Sequence, residues 1–427
     1  MMRFSIFTLG CKVNTYESDA VRELLLEEKW IEGGSGEKVD VVIINTCVVT
    51  STAEQKSRQH IRRFRRANPD AVLVAMGCYS QREGGELLAT CGADIVIGTS
   101  RRKLVVSHIE AFLADRTPIV DVEGEPRHSK YEEIGSILQP FTSRAFVKIQ
   151  DGCDNYCSYC IIPYVRGRSR SREPQKIVEE IRNLVQRDYK EIVIAGIHTG
   201  GYGKDLADSS LSKLIADILQ EIPQLFRLRI SSIEETEIDD DLIALLKKYP
   251  NIADHLHIPV QSGSEAVLRR MNRKYHIADF KRKVDAIRCA RPDIAITTDV
   301  IVGFPGETDD ELRETCAFIE DVHFSELHVF PFSKRDGTPA AKMANQVSDA
   351  VKKQRVKTLL SLSRVLHQEY AEKFIGRELE VLFEDYDEAC ATYRGHTSNY
   401  LEVHLASKND LRSQVRKVAY SGVEGKR

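Results

Sequence analysis

Over the first 120 residues, short runs of consecutive apolar and β-branched side chains alternate with stretches in which apolar positions recur every three or four residues. FSIFTL (4–9), VDVVIINT (39–46), AVLVAMG (71–77) and ADIVIG (93–98) predict buried strands, and the stretches 15–29, 52–67 and 80–90 predict helices between them. This alternation specifies an α/β fold with a parallel, doubly wound sheet. Residues 121–144 mix Gly, Pro, Ser and charge without a period and predict a linker. Six more strand patterns follow: FVKIQ (146–150), EIVIAG (191–196), FRLRIS (226–231), HLHIPV (255–260), DIAITTDVIVG (293–303) and ELHVFPF (326–332). Helical patterns separate them at 174–187, 211–221, 239–248, 263–271 with 277–290, and 309–321. Six β/α units in a row predict a partial (β/α)6 barrel of the TIM type, whose chemistry collects at the C-terminal strand ends. A long helix is expected from 348 to 374, with Ser348 as N-cap, Gly376 as stop, and Val351, Leu359, Leu362, Leu366 and Tyr370 as its buried stripe. After 375 the pattern reverts to short strands and turns, which predict a small β-barrel. The expected domains are therefore 1–120, 145–375 and 376–427.

Composition and charge narrow the function. Hydrophobic residues at 42% and charged residues at 29% are globular values that exclude a disordered or fibrous chain. With 61 basic and 64 acidic residues the net charge is −3, so net charge does not draw the chain to nucleic acid. Two basic runs stand out, at 56–66 with Arg58, Arg62, Arg63 and Arg66, and at 166–172 with Arg166, Arg168, Arg170 and Arg172. Taken alone, each reads as a solvated surface. No apolar run approaches the roughly 18–20 residues of a spanning helix, and MMRFSIFTLGCKVN lacks a signal-peptide pattern, so the cytoplasm is expected and a membrane is not.

Ten cysteines in a reducing compartment point to metal binding or catalysis before disulfides. Cys153, Cys157 and Cys160 form Cys-x-x-x-Cys-x-x-Cys directly after the first barrel strand. Three soft thiolates suit an iron–sulfur cluster or zinc, and structural zinc takes four closed ligands, so an open coordination position suggests chemistry. Cys11, Cys47 and Cys78 each lie just beyond a predicted strand, where an open α/β sheet lines one crevice, and form a second candidate site. The competing reading of each is a small buried hydrophobe. Cys91, Cys289, Cys316 and Cys390 have no partner spacing and are expected to be buried structural thiols. His255, His257 and His328 are expected to be hydrogen-bonded interior groups on barrel strands.

The CxxxCxφC motif with Tyr159 before its third cysteine resembles the radical S-adenosylmethionine (SAM) superfamily. The wider set TLGCKVNTYESD, INTC, MGCY, GCDNYCSYCIIPYVRGRSRSR, HIPVQSGS, MNRKYH, DVIVGFPGET and FPFSKRDGTPAAKM resembles the methylthiotransferase family along essentially the whole chain. That resemblance implies two 4Fe-4S clusters, one on Cys153, Cys157 and Cys160 that cleaves SAM to a radical, and an auxiliary one on Cys11, Cys47 and Cys78 that carries sulfur. It also implies a C-terminal TRAM module that holds RNA, and an electron donor such as flavodoxin or ferredoxin. Gly-Cys-Lys-Val-Asn at 10–14 and Gly-Ile-His-Thr-Gly-Gly-Tyr-Gly at 196–203 are similar to the branch acting on N6-threonylcarbamoyladenosine in the tRNA anticodon stem-loop. Rival readings are the branches that act on isopentenyladenosine in tRNA or on a ribosomal-protein aspartate, and a non-catalytic zinc-containing RNA-binding protein.

A loop base is already unpaired and can be splayed into a pocket, which makes Arg166, Arg168, Arg170 and Arg172 candidates for RNA phosphates. The superfamily's Gly-Gly-Glu for the cofactor's amino group is replaced here by His198-Thr-Gly-Gly-Tyr, leaving Thr199 or the backbone for that contact. Ser232, Glu234, Gln261 and Asp299, at or near barrel strand ends, complete the cofactor candidates, each weighed against a satisfied buried polar group.

Overall fold

The computed structural model describes residues 1–34, 37–124, 130–135 and 137–422. The expected linker thus falls partly outside the described residues, at 125–129 and 136, as do the last five positions of the chain. The chain divides into two compact units, Met1–Phe141 with Lys148–Glu173 and Ser333–Thr338, and Thr142–Val147 with Pro174–Phe332 and Pro339–Arg427.

The first unit opens with β1 (Arg3–Thr8), α1 (Lys12–Glu27), β2 (Ile31–Glu32), β3 (Val41–Thr46), α2 (Ser51–Ala67) and β4 (Val72–Gly77). It continues with α3 (Cys78–Glu83), α4 (Glu86–Cys91), β5 (Ile95–Ile97), α5 (Val105–Asp115) and β6 (Ile119–Asp121). The strands form one parallel sheet of order β2-β1-β3-β4-β5-β6. The order reverses at β1, so the switch point, where such sheets take ligands, lies between β1 and β3. Strands β3 and β4 are wholly buried, as their unbroken apolar runs require of a sheet covered on both faces. The single helix expected at 80–90 is broken in two, because Gly84-Gly85 interrupts it with Gly84 at φ +53°. Helix α5 and the short edge strands β2 and β6 carried too little pattern to be expected.

β7 (Arg144–Asp151) carries the chain from the second unit back into the first, where α6 (Ile162–Arg166) and β8 (Arg170–Ser171) follow. Ile161 and Val165 pack into the same core as Val42, Ile44, Leu73 and Val96.

The second unit holds α7 (Pro174–Gln186), β9 (Glu191–Gly196), α8 (Leu211–Glu221), β10 (Arg227–Ile230), α9 (Asp240–Lys248) and β11 (His255–His257). Next come α10 (Glu265–Arg270), α11 (Ile277–Ala290), β12 (Ala295–Val302), α12 (Asp309–Val322), β13 (Glu326–Pro331), α13 (Pro339–Lys342) and α14 (Asp349–Glu372). Strands β9 and β10 pair in parallel, as do β11, β12 and β13. Isolated bridges Leu228↔Ile252 and Ser232↔His257 join the two groups into a partial barrel. Helices start where side chains cap them: Ser210 for α8, a Thr308/Glu311 capping box for α12, and Ser348 for α14. The α14 stripe buries Leu359, Leu366 and Tyr370, but Val351, in the helix's first turn, is exposed. Finally β14 (Glu378–Asp387), β15 (Thr392–Thr397), β16 (Glu402–Leu405) and β17 (Val415–Ala419) form an antiparallel sheet of order β16-β15-β14-β17. Its core of Val381, Phe383 and Leu401 closes on Tyr370 and Phe374 at the end of α14 and the start of the next loop.

Candidate metal and cofactor centres

Register brings the N-terminal cysteines to one edge. Thr8 of β1 pairs with Asn45 of β3, and Asn45 with Met76 of β4, so the three strands end level. Cys11 follows β1 after two residues, Cys47 follows β3 directly, and Cys78 follows β4 directly as the first residue of α3. Gly77 is required there, since at φ +99° a Cβ would strike Asn45 and the Thr46 backbone. Cys11 is exposed, while Cys47 and Cys78 are buried. Burial pushes the Cys47 thiol up and the Cys78 thiol up to about 12; Arg166 opposes both shifts, and Cys11 adds to each. Among the described residues no three His, Cys, Asp or Glu side chains are drawn together closely enough to hold an ion, and it is the shared edge of the sheet that groups these three cysteines.

Beneath the cysteines lies a buried ionic cluster that the sequence did not announce. The guanidinium of Arg166, fully buried, donates from Nε to Cys78 Sγ at 3.1 Å. Its Nη1 donates to Glu17 at 2.9 Å and Asp151 at 3.0 Å, and its Nη2 to Asn14 Oδ1 at 3.2 Å. Lys148 donates to Glu17 at 2.9 Å and Asp151 at 2.6 Å, and Arg102 lies 2.5 Å from Glu17 and 2.9 Å from Glu132. Burial raises the Glu17 carboxyl, but Arg102, Arg166 and Lys148 outweigh it and hold the group far below the usual range. Asp151 is likewise held well below it by Lys148, Arg170, Arg166 and Arg102 against its burial. One hint was legible: Asn14 and Glu17 share the helix face that follows Cys11 at intervals of three residues.

The second cysteine set lies between β7 and α6, also in the first unit. Gly152, at φ +73°, passes so close to Arg168 that a Cβ would meet its carbonyl. The Cys153 N–H donates to Gly167 O and the Cys160 N–H to Cys157 O, each at 3.0 Å, folding the loop into a compact hairpin-like turn. Cys157 is buried, Cys153 and Cys160 are partly exposed, and Tyr159 is partly buried. All ten cysteines are outside disulfides, and of the remaining four Cys289 and Cys390 are exposed rather than buried.

The four arginines after this loop part company. Arg166, Arg170 and Arg172 are turned inward, Arg170 onto Asp151 at 3.2 Å and Arg172 onto Glu133 at 3.0 Å. Their guanidinium groups are committed to internal carboxylates, which corrects the expectation that they meet RNA phosphates. Arg168 alone of the four has an exposed side chain, 71% accessible.

In the second unit, Thr199 is buried with its Oγ1 3.0 Å from Ser231 Oγ. Ser232 is exposed, and Glu234 is clamped by Arg273. Gln261 adopts φ +63°; its backbone N–H donates to Asp299 O at 2.8 Å and its O accepts from Ile301 N–H at 2.9 Å. Asp299 Oδ1 lies 3.2 Å from His257 Nε2, while His257 Nδ1 and His255 Nε2 each lie 2.9 Å from Thr297 Oγ1. His328 is exposed, 5.4 Å from the His257 ring, so only His255 and His257 have the interior hydrogen bonds expected. Glu237 was missed: it follows β10, packs on Gly200, and holds His198 at 2.7 Å and Lys204 at 2.9 Å.

Each region offers three thiols outside any disulfide, soft donors of the kind that iron–sulfur clusters take. No helix among the described residues is long and apolar enough to cross a membrane. Comparison with known proteins gives two family matches, the radical SAM superfamily over residues 147–319 and Uncharacterized protein family UPF0004 over residues 3–98. The chain is 43% identical over 422 residues to threonylcarbamoyladenosine tRNA methylthiotransferase MtaB of Bacillus subtilis (strain 168), covering 98% of this chain and 93% of that protein. The protein of the same name from Thermotoga maritima is 38% identical, covering 95% and 91%. A tRNA-2-methylthio-N(6)-dimethylallyladenosine synthase from Acetivibrio thermocellus is 36% identical, covering 89% and 80%. Among solved structures, the radical S-adenosylmethionine methyltransferase TsrM from Kitasatospora setae superposes with TM-score 0.59 at 16% identity, covering 88% of this chain and 79% of that one, a likeness of fold.

Proposed function

The chain belongs to the radical SAM tRNA methylthiotransferase family, and we propose that it replaces the C2 hydrogen of N6-threonylcarbamoyladenosine, beside the tRNA anticodon, with a methylthio group. The observation that carries this reading is likeness to MtaB proteins over nearly the whole chain, spanning both cysteine-bearing regions. The cofactors are SAM and two 4Fe-4S clusters; when bound, one cluster supplies the electron that splits SAM and the other carries the sulfur that is transferred. Cys153, Cys157 and Cys160 hold the first cluster, and Cys11, Cys47 and Cys78 hold the second. Cofactor contacts fall to Tyr159, Thr199, Ser232, Gln261 and Asp299, with Glu234 oriented by Arg273. Arg168 faces RNA phosphates, joined by Arg63 and Arg66, exposed on α2. The C-terminal sheet is the TRAM module that grips the tRNA, electrons come from a donor such as flavodoxin or ferredoxin, and the reaction takes place in the cytoplasm.

Mass spectrometry of tRNA nucleosides from a strain lacking the gene tests substrate and reaction together. Loss of only the 2-methylthio form of threonylcarbamoyladenosine, restored with the gene, supports the reading, and an unchanged profile overturns it. At the level of residues, Cys157→Ala should abolish production of 5′-deoxyadenosine from SAM. Cys78→Ala should keep that production but yield no methylthio product. Zinc without iron in anaerobically purified protein would favour the non-catalytic alternative.

A further inference from the structure

Arg166 combines full burial, a direct hydrogen bond to a cysteine sulfur and contacts to three further side chains. A guanidinium is a rigid fork of five N–H donors, so fixing its Nη groups on Glu17, Asp151 and Asn14 also fixes where Nε points. That direction is the sulfur of Cys78, 3.1 Å away. Among the described residues Cys11 has no such donor, and its thiol instead donates to the side-chain oxygen of Asn14 at 3.4 Å. The cationic hydrogen bond thus falls on one of the three sulfurs, and it ties that sulfur to α1 and to the end of β7.

We propose that Arg166 is a positioning residue for the sulfur-carrying centre: its Nε–H holds the Cys78 sulfur in place, and its fixed charge offsets the negative charge that three thiolates bring together there. Hydrogen bonds to ligand sulfurs and nearby positive charge raise a cluster's reduction potential, so Arg166 makes this centre easier to reduce than its cysteines alone would. The inference rests on the assignment of Cys11, Cys47 and Cys78 as cluster ligands.

The test uses the full chain loaded anaerobically with iron and sulfide. Iron per chain is measured, and each cluster's signal is followed by electron paramagnetic resonance during a potentiometric titration. Arg166→Lys retains a positive charge but cannot span the four partners. It should fold and bind iron for two clusters, with the auxiliary signal shifted to more negative potential and the radical-cluster signal unmoved. Arg166→Gln should lose auxiliary iron, the iron content falling towards half. Should the Gln variant fail to fold, the Lys variant decides. An auxiliary signal unchanged in shape and potential in Arg166→Lys overturns the proposal, as does an equal disturbance of both clusters, which would mark a general structural role. Wild-type protein that binds iron for one cluster only would overturn the ligand assignment, and the positioning role with it.

Discussion

Each unit buries a cluster of charges, and the two differ in what they do with a surplus cation. In the first unit, Glu17, Asp151 and Glu132 face Arg102, Lys148, Arg166 and Arg170. In the second, Glu191 and Glu384 face Arg144, Arg227 and Arg229. Both hold one more cation than carboxylate. Around Glu191 the excess is sealed by protein: the Tyr400 ring covers Arg229 at 4.6 Å and Arg144 at 5.4 Å, and the carbonyls of Ser398, Thr397 and Glu380 accept the remaining donors. Around Glu17 the excess is aimed at the Cys78 sulfur. A buried cation closed off by an aromatic face and carbonyls is architecture, whereas one pointed at a thiol is, on the ligand assignment proposed above, placed to meet the charge of a Cys78 thiolate.

The sharpest break of this contrast is Glu17→Gln. It leaves Arg102, Lys148 and Arg166 facing Asp151 and Glu132 alone, so the cost should reach the upper end of the roughly 3–5 kcal/mol for breaking a buried ion pair. Auxiliary iron should fall with it, because Arg166 loses an anchor; urea unfolding and iron analysis on the same sample read both effects. Glu191→Gln should cost the lower end of that range, since Arg227 and Arg229 keep their backbone carbonyls. Its iron content should equal that of wild type, and a matching loss of iron would erase the distinction drawn between the two clusters.

How much of this could be read from the sequence follows from the range of the forces involved. Strand β9 at 191–196 and helix α8 at 211–221 sit where period predicts them, because burial of an apolar face is a local signal. The three strand-end cysteines were legible for a related reason, as parallel topology fixes which ends share a crevice. Arg166 was misread because a basic run looks alike whether its charges meet solvent or carboxylates. Its partners Asp151 and Glu17 lie 15 and 149 residues away, and no local pattern encodes that pairing. Lys148 and Glu17 escaped notice similarly: a charged residue in an amphipathic pattern is normally solvated, and only packing 131 residues apart buries both.

Two smaller effects sharpen the contrast from the structural side. Glu191 is raised by burial but held down to about 2 by Arg229, Arg227 and Arg144, against an ordinary value of 4.5. Its folded value is depressed, so its stabilisation is present above pH 4.5 and is lost as pH falls towards 2, amounting to about 3 kcal/mol. The stability gap between wild type and Glu191→Gln should therefore narrow over that interval, as measured by urea unfolding at successive pH values; a constant gap would mean that the carboxylate acts by shape alone. Tyr400→Phe probes the seal itself. The ring would keep its place over Arg229 and its stack on His255 at 4.7 Å, losing only the hydroxyl that accepts from Arg144 at 2.9 Å. Arg144 would still reach Glu384 at 3.0 Å, so the loss should be about 1 kcal/mol in urea unfolding. A cost as large as that of Glu191→Gln would show that the phenol hydroxyl, and not the aromatic face, closes the second cluster.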